Sequence, residues 1–278
     1  MKFDPLEHPV CLEFPAWLAE TAWAEHVPFA MFLMSAARPR TFVELGTFRG
    51  VSYCAFCQAA RAIALDAACT AIDTWEGDEH AGFLEEGVLT KLQKHHDPLY
   101  STFSRLLRST FDEALIEFDN GSIDLLHIDG FHSYEAVRHD FDSWLPKMSS
   151  RGIVLFHDTS ERESGFGVWK FWDEVCKIFP NFAFEHGHGL GVLSVGTEIA
   201  EDLKFLFETD EKQTALIKKF FRELGRRVDE RVINMRQNEY INHLKTHEKV
   251  VMDSKLMRVY RIIRFEGLGS LWRKVRKL

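Results

Sequence analysis

Between about residues 26 and 196, short runs of β-branched and apolar residues alternate with longer segments of helical spacing. The runs begin with TFVELG (41–46) and continue through CTAID, SRLLRS, SIDLLHID and RGIVLFHD. Because they are apolar on both faces and separated by helical segments, they predict a mainly parallel sheet with helices on both sides. The later segment NFAFEHGHGLGVLSVG contains two more strands around a glycine-rich turn. The sequence therefore predicts an α/β fold with seven strands, the last two forming an antiparallel hairpin at the edge.

After residue 200 the pattern changes to apolar residues at helical spacing with almost no Gly or Pro. This pattern predicts one or two long helices. With 278 residues the chain is long enough for one main core and an appendage. We therefore predict a main domain over residues 1–200 and a C-terminal helical extension over residues 201–278. The extension does not sustain a strict heptad, so a short coiled coil, a homodimer and packing against the body all remain open.

Charge is unevenly distributed along the chain, whose net charge is −8. An acidic chain is not expected to bind nucleic acid through its general surface. Residues 255–278, however, carry eight Lys or Arg against one Glu, and their apolar residues share one helical face. That pattern is typical of a helix on an anionic membrane surface. Peripheral membrane contact at the inner face of a membrane, docking of a partner and packing on the acidic body are the open interpretations.

The five cysteines lack the regular spacing of a disulfide framework, and no secretory leader opens the sequence. These observations predict a cytoplasmic protein. Cys54 and Cys57 form a C-x-x-C pair inside an apolar helical segment, where buried packing is a better interpretation than metal or redox chemistry. No apolar run reaches the roughly 20 residues needed to cross a bilayer.

Acidic residues stand at the ends of successive predicted strands. Glu44, Asp73, Asp129 and Asp158 each close a strand or follow it directly. In an open α/β sheet, ligands bind beyond the carboxyl ends of the strands. Four acids in this position therefore indicate a site better than they indicate four unrelated loop residues.

The stretch ELGTFRG places Gly46 and Gly50 between a strand and a helix. Such a turn lets the backbone and the helix N–H groups approach a ligand closely. It lacks the full dinucleotide and phosphate-loop signatures. Together with Asp73, whose carboxylate is suited to a ribose diol, the turn indicates a nucleoside cofactor without a pyrophosphate.

These motifs carry a family resemblance. FVELGTFRGVS, followed by AIDTW and LLHIDGFHSYEAVRHDF, resembles class I S-adenosylmethionine-dependent methyltransferases, specifically the metal-dependent O-methyltransferases that include catechol and macrolide-sugar enzymes. The resemblance covers roughly residues 26–196 and implies a Rossmann-like fold, with residues 1–200 as the methyltransferase domain. It implies S-adenosylmethionine as cofactor, with its methionine and ribose portions surrounded by Glu44, Gly46, Phe48, Gly50 and Ser52. It further implies Asp73 on the ribose hydroxyls, and Trp75, Ser109 and Thr110 near the adenine.

The resemblance also implies the catalytic residues. In the similar enzymes the acid ending the fourth strand is a metal ligand and a base follows three residues later; here these are Asp129 and His132. A divalent cation and a neutral imidazole both ease formation of an alkoxide-like nucleophile from a hydroxyl. The ordinary alternative for His132 is a histidine of the core.

The pair after the fifth strand, His157 and Asp158, would supply the remaining metal ligands. A carboxylate suits Mg²⁺, whereas an imidazole suits Mn²⁺, Fe²⁺ or Zn²⁺ better. Alternatively, His157 orients Asp158 by a hydrogen bond without binding the cation. The cation is thus expected to be Mg²⁺ or Mn²⁺.

Three functions remain in competition. The leading hypothesis is an enzyme that methylates a hydroxyl of a sugar or glycan intermediate. Residues 75–82 and 186–191 would form a rim around the small-molecule or glycan acceptor, or else are solvated loops. An NAD-dependent oxidoreductase is the second, because Tyr134 and Arg138 nearly reproduce a Tyr-x-x-x-Lys motif, although Arg cannot tune its pKa as Lys does. The third is a degenerate methyltransferase fold that acts as a scaffold in glycan assembly.

Overall fold

The computed structural model describes residues 3–78, 82–83, 87–163 and 165–253, together with Met257, Tyr260 and Arg264. Its main strands are β1 (Thr41–Leu45), β2 (Ala68–Asp73), β5 (Ser104–Arg108), β6 (Ile123–Ile128), β7 (Met148–His157), β8 (Asn181–Phe184) and β9 (Leu190–Ser194). Within the described residues these seven strands form one sheet in the order β5-β2-β1-β6-β7-β9-β8. Two further strands, β3 (Gly77–Asp78) and β4 (Gly82–Phe83), pair with each other in a separate sheet.

The pairing directions confirm the predicted topology. Five adjacent strands of the sheet, β5, β2, β1, β6 and β7, run parallel to one another. Strand β9 is antiparallel to β7, and β8 is antiparallel to β9. All six residues of β6 are buried, as expected of a central strand covered on both faces. The predicted antiparallel hairpin thus lies at the edge of a mostly parallel sheet.

Helices cover both faces of the sheet. They are α1 (Val27–Ala37), α2 (Val51–Ala62), α3 (Val88–Tyr100), α4 (Phe111–Ala114), α5 (Tyr134–Trp144), α6 (Val168–Val175), α7 (Lys204–Glu208) and α8 (Glu211–Asp253). Successive residues of a strand point to opposite faces. Accordingly Phe42 belongs to a core with residues of α1 and α2, whereas Val43 belongs to a second core with residues of α5 and α6. The two cores confirm the predicted layers.

The predicted helical extension contains one helix of 43 residues, α8. Its residues Ile217, Phe221, Val228 and Val232 are buried in the same core as α1. The contacts between residues divide the chain into one compact unit over Met1–Val232 and a second unit over Ile233–Leu278. The division at residue 200 remains a prediction.

The second unit shows exposed apolar residues along its described helix, including Tyr240, Ile241 and Leu244. The predicted basic amphipathic segment, residues 255–278, lies outside the described residues except at three positions. Membrane or partner contact through that segment therefore stays a prediction. In the part of the chain that the structure describes, no helix combines the length and the apolar character needed to cross a bilayer.

Cys54 and Cys57 are buried on α2 and carry free thiols. Burial raises the pKa of the Cys54 thiol well above its usual value. A buried thiol of raised pKa is a poor nucleophile and a poor metal ligand. The pair therefore behaves as packing residues, as the interpretation from the sequence proposed.

Candidate active site

The turn between β1 and α2, residues 46–50, occupies the centre of the site. Gly46, Phe48 and Gly50 all have positive φ, at 84°, 49° and 76°. A Cβ on Gly46 would lie 2.1 Å from the carbonyl oxygen of Asp129, so only glycine fits where the turn meets the end of β6. The glycine turn thus brings backbone directly against a predicted catalytic residue.

Asp73, at the end of β2, holds the glycine turn in place. Its Oδ2 accepts hydrogen bonds from the backbone N–H groups of Thr47 (2.7 Å) and Phe48 (2.8 Å). Its Oδ1 accepts a third from Trp75 N–H (2.6 Å). Asp73 therefore organises the turn as well as lining a cavity beside it.

That cavity has a volume of about 260 Å³ and contains the predicted adenine side of the site. Its lining includes Gly46, Phe48, Asp73, Thr74, Gly77, Thr110, Phe111, Asp129, Gly130, Phe131 and His132. Of the three residues predicted near adenine, Thr110 belongs to this lining, while Ser109 and Trp75 do not. Ser109 donates its backbone N–H to the backbone carbonyl of Asp73 (3.1 Å), and Trp75 donates its indole N–H to the carbonyl of Phe48 (3.0 Å). Both residues therefore contact residues of the cavity wall without lining the cavity themselves.

A second cavity of about 370 Å³ adjoins the first and shares Gly46, Phe48, Asp129 and His132 with it. It also contains Gly50 and Ser52, two of the residues predicted around the methionine portion. Its remaining lining is Thr21, Ala22, Trp23, Thr47, Arg49, Val51, His157, Asp158, Glu161, Glu163, Phe166 and His188. The two cavities together could hold a nucleoside at one end and a second molecule at the other.

Two carboxylates and two imidazoles converge at the junction of these cavities. Asp129 follows β6, and Asp158 follows β7 with a left-handed φ of 60°. His132 Nε2 lies 2.9 Å from Asp158 Oδ2 and 3.7 Å from Asp129 Oδ1. His157 Nδ1 lies 3.1 Å from Asp129 Oδ1 and 3.3 Å from Asp158 Oδ2. The structure therefore brings together all four residues predicted for catalysis and metal binding.

The charges in this cluster stabilise one another. Burial alone would raise the pKa of Asp129, but the charge of His157 and hydrogen bonds from His132 and His157 hold it well below its usual range. Burial would lower the pKa of His132, but hydrogen bonds and charge from Asp129 and Asp158 outweigh that effect and raise it to about 9. Two ionised carboxylates facing two protonated imidazoles form a neutral group, in which a cation could replace protons.

Three of these side chains fit a divalent cation. Asp129, His132 and Asp158 each offer one ligand atom, and the three atoms lie within 4.8 Å of one another. Two carboxylate oxygens and one imidazole nitrogen suit Mn²⁺ well, and Mg²⁺ if water supplies further oxygens. His157 has a different environment, because its Nε2 also lies 3.2 Å from the carbonyl oxygen of Gly187. With both ring nitrogens engaged, His157 corresponds to the alternative in which it orients the carboxylates.

Glu44, predicted beside the cofactor, is fully buried and does not belong to the lining of either cavity. Its Oε2 accepts a hydrogen bond from Nδ1 of His127 (2.9 Å). The indole of Trp23 donates to Nε2 of the same imidazole (3.2 Å). Because Trp is only a donor, His127 must accept at Nε2 and donate at Nδ1. Glu44 thus supports the cavity wall through Trp23.

Two aromatic residues in the cavity wall were missed by reasoning from the sequence. Phe166 stacks on His132 with ring centroids 4.6 Å apart and an interplanar angle of 13°. Trp23 precedes the first helix and belongs to no predicted motif. Of the predicted rim segments, residues 79–81 lie outside the described residues, while His188 lines the larger cavity and pairs with Glu161 (3.0 Å).

The near-match to an oxidoreductase motif has a structural explanation. Tyr134 donates its hydroxyl to Glu174 (3.0 Å) and accepts from Arg138 (2.8 Å) on the exposed face of α5. Neither side chain lines the two cavities. The pair therefore stabilises the surface of the helix.

Residues 43–159 match a family model described as a methyltransferase domain. The match begins in β1 and ends one residue after Asp158, so it contains the glycine turn, Asp73 and the carboxylates of the cluster. These residues are therefore similar to a methyltransferase domain. The similarity agrees with the methyltransferase resemblance predicted from the sequence.

Two curated relatives are also similar to the chain. An uncharacterised protein of Sinorhizobium fredii is 52% identical over 189 residues, which are 68% of this chain and 21% of the relative. An uncharacterised protein of Acanthamoeba polyphaga mimivirus is 31% identical over 125 residues, 42% of this chain and 51% of the relative. The chain thus spans about a fifth of one relative and about half of the other.

A solved structure from Staphylococcus aureus, of a protein assigned as a caffeoyl-CoA O-methyltransferase, has a TM-score of 0.50 and 13% identity to this chain. The match covers 65% of this chain and 86% of that one. At this identity the likeness concerns the fold, and it confirms the predicted Rossmann-like architecture.

Proposed function

We propose that the chain transfers a methyl group from S-adenosylmethionine to a hydroxyl of a sugar or glycan intermediate, assisted by a divalent cation. The match of residues 43–159 to a methyltransferase domain supports this proposal. The observation that carries this proposal is the convergence of Asp129, His132 and Asp158 beside the glycine turn. An acceptor hydroxyl, a methyl donor and a proton acceptor would meet there.

The cofactor would occupy both cavities. Its adenosine part fits the smaller cavity, where Asp73 would accept hydrogen bonds from the ribose hydroxyls and Phe111 and Phe131 would flank the base. Its methionine part would follow the glycine turn into the larger cavity, beside Gly50 and Ser52. The transferable methyl group would then face the carboxylate cluster.

The chain's own residues would prepare the acceptor hydroxyl. Asp129 and Asp158 would hold the cation, which would polarise that hydroxyl. We assign proton transfer to Nε2 of His132, which lines both cavities, whereas Nε2 of His157 contacts the carbonyl of Gly187. In this role His132 would not bind the cation, and Asp129 and Asp158 would be its protein ligands. His132 carries a proton in the arrangement described, so it must first release it to serve as a base. Loss of a proton from His132 is favoured when a cation occupies the neighbouring carboxylates.

The wall of the larger cavity supports a sugar as acceptor. Trp23 and Phe166 offer aromatic surface, and Glu161 and Glu163 offer carboxylates on the same cavity. Ligand sites of this kind combine apolar walls with a few polar groups that fix orientation. Aromatic faces suit the apolar faces of a sugar ring, and carboxylates suit its hydroxyls.

The test is formation of S-adenosylhomocysteine from S-adenosylmethionine with nucleotide sugars and glycans as acceptors, with Mg²⁺ or Mn²⁺ present. We expect turnover with at least one sugar, and a loss of about 100- to 1000-fold in kcat/KM for His132→Ala. His139→Ala is the matched control, because His139 is exposed on α5 and pairs with Asp112. Unchanged turnover by His132→Ala would contradict the assigned base, and methylation of catechols alone would contradict the sugar.

A further inference from the structure

The glycine turn has a backbone conformation that needs external support. Phe48 adopts a left-handed φ of 49° between two glycines, and such a conformation is unfavourable for a residue with a bulky side chain. Asp73 holds the N–H groups on one side of the turn, as described above. The carbonyl groups of the turn are held by different residues.

Two indole groups donate to two consecutive carbonyls of the turn. Trp75 Nε1–H donates to the carbonyl of Phe48 (3.0 Å). Trp17 Nε1–H donates to the carbonyl of Arg49 (2.7 Å). Trp17 lies outside the segment that matches the methyltransferase model, whereas Trp75 lies within it.

The segment that carries Trp17 is itself anchored. Gln58 on α2 accepts from the backbone N–H of Ala16 (2.7 Å) and donates to the carbonyl of Phe14 (2.9 Å). The Trp17 ring stacks on His95 with centroids 4.8 Å apart. The hydrogen bonds to the backbone and the stacking of the ring together fix the orientation of the Trp17 indole, and with it the direction of its N–H.

A charged contact reinforces the same junction. Arg49 donates from Nη1 to Glu20 Oε2 at 2.7 Å. Directly after Glu20, residues 21–23 line the larger cavity together with the glycine turn. The N-terminal segment therefore both contacts the turn and contributes to the wall of the same cavity.

We propose that Trp17, together with Trp75, is a positioning residue that holds the glycine turn ready for the amino-acid end of S-adenosylmethionine. The inference rests on the proposed function, because it concerns the same cofactor. A turn already held in its binding conformation loses little conformational entropy when the ligand binds, so the ligand binds more tightly. Trp17 acts through the backbone of Arg49 and does not itself contact the cofactor.

The experiment compares two ligands on Trp17→Phe by calorimetry. Phenylalanine keeps a ring against His95 but removes the N–H donor. S-adenosylhomocysteine carries the amino-acid end, whereas 5′-methylthioadenosine has the same nucleoside and sulfur without it. We expect the Kd of S-adenosylhomocysteine to rise about tenfold, the factor that roughly one lost hydrogen bond represents, while the Kd of methylthioadenosine changes by less than about twofold.

The control is Trp144→Phe, because the Trp144 indole is buried in the opposite core and makes no hydrogen bond to a described residue. It should leave both Kd values unchanged. If Trp17→Phe fails to fold, Glu20→Gln tests the same junction, with Glu117→Gln as its control since Glu117 pairs with Arg105 at similar exposure.

The outcomes separate this proposal from the proposed function. Binding of S-adenosylhomocysteine by the wild type with an unchanged Kd in Trp17→Phe overturns the positioning role alone. Equal weakening of both ligands also overturns it, since that result indicates general loosening of the fold. A wild type that does not bind S-adenosylhomocysteine overturns both.

Discussion

At the scale of single residues, Asp140 makes the stability of the fold depend on pH. It is a carboxyl group on α5 with only 7% of its surface exposed. Its Oδ2 lies 3.4 Å from the position that a Cβ on Gly130 would take. Burial raises the pKa of Asp140 to about 7, and the neighbouring charge of His139 offsets this only in part.

The direction of the pH effect follows from that pKa. In the unfolded chain Asp140 ionises near pH 4, while in the folded protein it keeps its proton up to about pH 7. Folding therefore becomes less favourable as pH rises from about 4 to about 7, and levels off above that.

Asp140→Asn should remove this loss of stability at higher pH, because the amide of Asn does not ionise. The free energy of unfolding of the variant minus that of the wild type should be about 1–3 kcal/mol larger at pH 8 than at pH 5. Urea unfolding at the two pH values measures this difference. Asp142→Asn is the matched control, because Asp142 is exposed on the same helix. A stability difference between Asp140→Asn and wild type that does not vary with pH would contradict the assignment.

The sequence predicted the polar residues of the site better than its walls. Asp73, Asp129 and Asp158 could be predicted because strand ends of a parallel sheet meet at one edge. Trp23 and Phe166 could not be predicted, because they lie in irregular segments. Without the regular spacing of a helix or strand, the sequence does not indicate which side chains face a cavity. Glu44 is buried because β1 is a central strand whose two faces are both covered, and its neighbours Val43 and Leu45 are buried as well.

At the scale of elements, α8 is fitted closely against the segment that precedes α1. A Cβ on Gly225 would lie 2.1 Å from the carbonyl oxygen of Glu25 and 2.7 Å from its carbonyl carbon. The neighbouring His26 donates its Nε2–H to the carbonyl of Gly187 (2.9 Å), which also contacts His157. The helix thus packs behind residues that border the site.

Gly225→Ala should destabilise the protein although alanine is the better helix former. Relief of the backbone clash requires α8 to move away from Glu25, and we expect a net loss of about 2–4 kcal/mol in the free energy of unfolding. Urea denaturation measures this loss, with Gln213→Ala at an exposed position of the same helix as control. Equal or greater stability of Gly225→Ala would contradict the close packing of α8 against Glu25.

The helical spacing after residue 200 predicted α8, but it could not predict what the helix packs on. Apolar residues at helical spacing are equally compatible with a coiled coil and with packing on the body. Only the close approach at Gly225 and the burial of Phe221 and Val228 identify the face that packs. The apolar runs predicted the parallel strands and the antiparallel hairpin at the edge, but not the order of the strands in the sheet.

At the scale of the whole molecule, the compact unit extends well into the predicted extension. The residues of that part buried in the main core are Leu203, Phe205, Leu206, Ile217, Phe221, Val228 and Val232. Burying one such side chain contributes roughly 1.5–3 kcal/mol, so their joint loss is comparable to the net stability of a whole domain, about 5–15 kcal/mol.

A chain ending at Val232 should therefore unfold cooperatively, with a midpoint close to that of the full chain, whereas a chain ending at residue 200 should not. Thermal unfolding followed by circular dichroism distinguishes the two. Cooperative unfolding of residues 1–200 at an unchanged temperature would place the domain boundary at residue 200 after all.

The most direct test of the proposed methyltransferase function is calorimetry of S-adenosylhomocysteine binding to the wild type and to Asp73→Ala, each with and without Mg²⁺ or Mn²⁺. Asp97→Ala, at an exposed position of α3, is the control. We expect binding by the wild type and the control, and a loss of at least about 100-fold for Asp73→Ala, because Asp73 both organises the glycine turn and would bind the ribose. Absence of binding by the wild type under every metal condition would contradict the proposed function and leave a methyltransferase fold that serves as a scaffold.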